Sequence, residues 1–205
     1  MIPDSWHIQY SWRLAALFVI SAVAAARDWH RHGRAATRWK EYCFLALTGG
    51  LAALFGIAND VLVTSRLSPY YFTIGKGLAD GPGFAGRVAL LGFQAGFGAG
   101  IIAGGCLLLA NQPRAGRPAL GYGPLWKFAA RPFLIAVPMA VVFGLGARCL
   151  VGPAIDPQLG QLIGPEAAAW FWRVWYIHLA LYLSLVIGVV WSVAGIRRAR
   201  RSYAT

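Results

Sequence analysis

Apolar residues in this chain do not alternate with polar ones. They gather in long blocks, separated by short stretches rich in arginine or in glycine and proline. Four blocks, Cys43–Ser65, Val88–Ala110, Phe133–Val151 and Val174–Gly195, are long enough to cross a bilayer. About 20 helical residues, rising 1.5 Å each, span a hydrocarbon core of roughly 30 Å. Backbone groups in lipid have no water to bond, so each block predicts a helix. The expected fold class is all-α: an integral membrane helical bundle with four transmembrane helices, in a single membrane domain covering residues 1–205.

A shorter fifth element is expected at residues 8–26. Leu14 to Ala26 is apolar on every side, with Trp6, Tyr10 and Trp12 before it and Trp29 after it, like interfacial aromatic belts. Two readings stay open: a short span with the N-terminus outside, which is preferred, and a helix docked on the cytoplasmic surface. The "AVAAA" stretch resembles a signal-peptidase site, but cleavage would leave the basic tract from Arg27 on the outside.

Composition and charge then set the topology. The chain has 205 residues, 58% hydrophobic and 13% charged, where a soluble domain carries about 25% charged residues. The net charge of +12 lies in alternate connections. Arg27, Arg31, Arg34, Arg38 and Lys40 fall in 27–42, Arg114, Arg117 and Lys127 in 111–127, and Arg197, Arg198, Arg200 and Arg201 in 196–205. The positive-inside rule assigns these two loops and the tail to the cytoplasm. The expected location is the cell membrane, multi-pass, as in a bacterial inner membrane, with a cytoplasmic C-terminus. Membrane lipid is the expected partner, and nucleic acid is set aside.

Within the second block Gly92, Gly96, Gly100 and Gly104 recur every four residues and form one stripe on a helix. Such a stripe lets another backbone approach closely, which is how helices associate in lipid. It predicts a central helix or a homodimer seam. "GAGIIA" in the same block matches a dinucleotide fingerprint on paper, but lacks the strand that such a motif needs before it. Pro132 and Pro138 predict bends in the third block.

The candidate chemistry sorts by depth. Asn59 and Asp60, Gln94, Arg148, Arg173, His178 and Tyr182 all fall toward the outer ends of their spans. An outer-leaflet polar cluster is the economical reading, because charges in a membrane are costly unless paired or hydrated. Three alternatives follow: a structural ion pair of Asp60 with Arg148 or Arg173; a small-molecule, ion or proton site; and a contact with a partner subunit. The cysteines Cys43, Cys106 and Cys149 are isolated, and no metal, haem or other cofactor is expected from this spacing. No catalytic residue is assigned, since no motif forms a reaction constellation.

At "GIANDVLVTSRLSPYYF" the chain resembles a group of small bacterial multi-span membrane proteins without assigned activity. Their shared segment reads approximately Tyr-Gly-Ile-x-His-Asp-Gln-Val-Thr, then Ser-Pro-Glu-Tyr-Phe-Thr. Gly56, Ile57, Asp60, Val63, Thr64, Ser68, Pro69, Tyr71, Phe72 and Thr73 fit that pattern, as do Arg131-Pro132 and His178 later on. Asn59 stands in place of His, Tyr70 in place of Glu, and one extra residue falls between Asp60 and Thr64. The resemblance covers about a fifth of the chain. It implies that the Asp60 segment and the loop after it, with Tyr70, Tyr71 and Phe72 as interface anchors and Lys76 between glycines, form the signature region. It implies no reaction.

The function expected from sequence is a non-enzymatic subunit or assembly partner of a larger membrane complex, or a self-associating protein. The alternatives are binding or transport of a small solute, lipid or proton at the outer cluster, and, more weakly, a membrane enzyme using Asp60 and His178.

Overall fold

The computed structural model describes residues 4–113, 118–150 and 156–202; the side chains of residues 4–9, 11, 148 and 150 lie outside that description. Its helices are α1 (Asp4–His32), α2 (Arg38–Leu67), α3 (Phe84–Asn111), α4 (Tyr122–Ala129), α5 (Arg131–Leu150), α6 (Pro157–Ile163) and α7 (Pro165–Ser202). Among the described residues there is no strand. Four helices are long and apolar enough to cross a membrane: α2, α3, α4 running on into α5, and α7. The end of the bundle where α2 passes to α3 is called the upper end here, and the end where α3 passes to α4 the lower.

The helices form two antiparallel pairs. α2 packs along α3 and α5 along α7, and the pairs are joined chiefly where α3 meets α7. The glycine stripe makes the first pair. Opposite it, Thr48, Ala52 and Gly56 recur at the same four-residue spacing on α2. A Cβ added at Gly92 would lie 2.7 Å from the Gly56 carbonyl oxygen, and one at Gly96 or Gly100 would collide with the Ala52 or Thr48 carbonyl. The stripe therefore faces α2 inside one chain rather than forming a homodimer seam. Small residues let the two backbones meet, and dispersion contacts replace the side chains that are missing. The second pair has one such point, Gly188, where a Cβ would sit 2.5 Å from Pro132 Cα.

Outward-facing positions carry large apolar side chains such as Leu54, Leu62, Ile102, Leu134, Val142 and Val190, all more than half exposed. α1 leans on α3, where Tyr10 donates to the Gln94 carbonyl at 3.0 Å and Phe18 lies 6.1 Å from Phe97 between ring centroids. At the foot of α1 the Asp28 carboxylate accepts from the backbone N–H groups of Thr37 and Arg38, at 2.9 and 3.0 Å, and caps the start of α2. These bonds, that from Arg38 foremost, hold the Asp28 carboxyl below the usual carboxylate range.

The lower end differs from expectation in two ways. The stretch 111–127 was expected to be a basic loop, yet from Tyr122 it is helical, and Leu125 is fully buried with Phe44, Leu107 and Ile196; Arg114 and Arg117 lie outside the described residues. The expected basic tail continues α7 to Ser202, and Arg200 turns inward, only 4% exposed. Its Nε donates to the Pro118 carbonyl at 3.0 Å and its Nη1 to the Ala110 carbonyl at 2.8 Å. Ala110 ends a helix, where carbonyls lack intrahelical partners, so a guanidinium is well placed there.

Candidate functional site

The site begins with a distortion of α2. From Ala58 to Thr64 the helix widens to a π-helical turn, in which the Ser65 N–H bonds the Asp60 carbonyl five residues back. A π turn accommodates one more residue than an α turn without breaking the helix, and such turns concentrate at functional sites. The turn points Asp60 into the bundle, where it is 6% exposed. The Thr64 hydroxyl donates to the Asn59 carbonyl at 3.3 Å, a group that the widened helix leaves less well served.

Asp60 Oδ1 collects three neighbours: Asn59 Nδ2 at 2.9 Å, Thr64 Oγ1 at 3.4 Å and His178 Nε2 at 3.1 Å. The other ring nitrogen of His178 lies 2.9 Å from the Val174 carbonyl oxygen. A carbonyl only accepts, so Nδ1 carries a proton and donates. Nε2 then faces a carboxylate oxygen, and that contact also needs a proton between the two atoms.

The connection above the pair folds down over it. Tyr71 stacks on the His178 ring with centroids 4.6 Å apart and planes 22° apart, and Phe72 meets the same ring edge-on at 6.2 Å. Both are buried, with Leu78, Val88 and Val174 around them. The sequence reading of Tyr71 and Phe72 as interface anchors is thus corrected; only Tyr70 is exposed. Lys76 lies over the Tyr71 ring, its Nζ 5.2 Å from the centroid. Burial first, then the nearby Tyr182 and Asp60, push the Tyr71 phenol above its ordinary value, so the cap is a neutral ring. Arg87 ties the rest of the connection, donating to the carbonyls of Ala79 and Pro82.

Below the pair runs a cavity of about 120 Å³ between α2, α3, α5 and α7. Asn59, Asp60, His178 and Tyr182 form its upper wall, and its length is lined by small or apolar side chains such as Ala95, Ala99 and Phe133. It reaches down to Thr48, roughly 18 Å of helical rise below Asp60. The hydroxyls of Thr48 and Ser184 donate to carbonyls of their own helices, so the lower part offers little polarity. The result is a narrow, greasy slot with one polar end.

Four of the seven expected cluster residues, Asn59, Asp60, His178 and Tyr182, therefore meet. Gln94 is not among the residues that line the slot, and its backbone carbonyl accepts from Tyr10. Arg173 does not pair with Asp60, whose partner is His178; its guanidinium lies 4.4 Å above the Trp170 ring. The side chain of Arg148 lies outside the described residues. Tyr71, Phe72 and Thr64 complete the site; the sequence reading had them in the signature region around Asp60 but not in the polar cluster. Among the described residues no three His, Cys, Asp or Glu side chains gather as a metal site would require. Comparison with protein-family models, curated proteins and solved structures finds no match to this chain.

Proposed function

We propose that this chain is a multi-pass membrane protein whose interior slot binds a small lipid-soluble molecule, the polar end of that molecule resting against Asn59, Asp60, His178 and Tyr182. The upper end then faces outward, as the basic lower end suggests. One observation carries the reading: the buried Asp60–His178 pair, covered above by Tyr71 and Phe72, lines a cavity on its lower side. A pair that only locks two helices together gains nothing from adjacent empty space, since a void forfeits packing. A site with one polar end and apolar walls is the usual form of a small-molecule pocket. The assembly role expected from sequence took the glycine stripe as one of its contacts, and that stripe is occupied by α2.

The test is extraction. Protein purified in mild detergent should carry a lipid-soluble compound, seen by mass spectrometry of an organic extract, and Ala99→Leu, which fills the slot, should lose it. Equal amounts in both proteins, or none in either, would refute the reading. A stoichiometric partner polypeptide with no bound compound would favour the assembly role instead.

A further inference from the structure

A second opening lies on the side of the bundle where α2 and α5 face one another. The two helix pairs are joined on the α3–α7 side, whereas α2 and α5 scarcely touch. They converge where the Phe55 and Phe133 rings meet edge-on at 5.8 Å. Above that contact the pairs splay, leaving a groove of about 530 Å³ that runs from Phe55 up to Leu67. That distance corresponds to roughly 18 Å of helical rise. Leu62 and Val63 on one bank and Val137, Val141 and Leu145 on the other are each about half exposed.

Among the described residues the groove ends in one cation. Arg173 lies at its upper rim with Trp170. Its Nε is buried without a hydrogen-bond partner, and among the described residues no carboxylate pairs with it. A guanidinium offers five donors in a fixed fork that suits phosphate, so this one is short of an acceptor.

We infer that this groove seats an anionic phospholipid, its phosphate on Arg173 and one acyl chain lying between α2 and α5 down to Phe55. The occupant follows from the two ends together. A soluble anion satisfies Arg173 but leaves the apolar banks bare. A further helix, about 10 Å across, is too broad for a crevice that closes at Phe55–Phe133. A zwitterionic lipid brings its own cation next to Arg173, whereas a net-negative headgroup does not. The groove is separate from the slot, although Phe55 and Asn59 belong to the walls of both.

The experiment is native mass spectrometry of the detergent-purified protein titrated with phosphatidylglycerol or with phosphatidylcholine of identical acyl chains. One phosphatidylglycerol should be retained with a preference of about fivefold, the effect of roughly one basic side chain at a membrane surface. Arg173→Gln should abolish the preference and Arg173→Lys should keep much of it. Ala140→Phe fills the groove without touching charge and should weaken retention of both lipids. Equal retention of the two lipids by the natural chain would overturn the proposal. So would a preference unchanged in Arg173→Gln, or one lost instead with Arg27→Gln and Arg31→Gln at the lower end. Competition by millimolar inorganic phosphate that removes the lipid would reduce the site to an anion site and also overturn it. Should Arg173→Gln fail to fold, Ala140→Phe decides: undiminished retention there sinks the proposal. Ala99→Leu in the slot should leave phosphatidylglycerol retention unchanged, so this site and the slot stand or fall separately.

Discussion

His178 Nε2 lies 3.1 Å from Asp60 Oδ1 across 118 positions of sequence, while its Nδ1 is held by the Val174 carbonyl of its own helix. The tether fixes the ring, and the carboxylate fixes the proton on its far side. Removing either partner leaves the other buried and uncompensated. Asp60→Ala and His178→Ala should each lower the unfolding free energy by about 3 kcal/mol or more. Their effects should fall short of additive in the double variant, by a coupling of roughly 1–3 kcal/mol. Denaturant unfolding in mixed micelles measures all three, and strict additivity would show that the two residues act independently.

The α2–α3 seam makes a positional prediction. Gly96→Ala places a methyl against the Ala52 carbonyl, with backbone on the other side and nothing flexible to yield. The cost should be about 1–3 kcal/mol, as for overpacking elsewhere. Gly98 and Gly105 lie on the same helix with open space where a Cβ would go. Gly98→Ala and Gly105→Ala should be neutral or stabilising by up to about 1 kcal/mol, because alanine is the better helix former. Thermal unfolding of the three variants separates stripe from background.

Among the arginines of the last helix, Arg200 should stand apart. Arg200→Ala deprives the Ala110 and Pro118 carbonyls of a charged donor and should cost about 2 kcal/mol. Arg198 is exposed, and Arg198→Ala should change stability by no more than about 0.5 kcal/mol. Equal effects in the same unfolding assay would mean that Arg200 is merely one of a solvated cluster.

Several features were legible in the order of residues alone. The four long helices follow from four apolar blocks, each long enough as a helix to cross a membrane. The glycine stripe was visible because its spacing matches one face of a helix, and so was the concentration of Asn59, Asp60, His178 and Tyr182 toward one end. Which helix the stripe would face was less obvious, although Thr48, Ala52 and Gly56 repeat the same interval and were the available sign.

What only tertiary structure decided is which of the polar residues meet. Depth along a helix is linear in sequence, so Gln94 and Arg173 pass the same depth test as Asp60 and His178. Rotation about each helix axis is decided by packing, and α2 also changes its winding in the π turn from Ala58 to Thr64. Asp60 meets His178 rather than Arg173, and Arg173 stands at the head of a separate groove. The fold over the top likewise depends on contacts between distant residues, for Tyr71 is an interface aromatic by composition and a ring stacked on His178 by packing. Local hydropathy chose the helices; the angle at which each is turned chose the site.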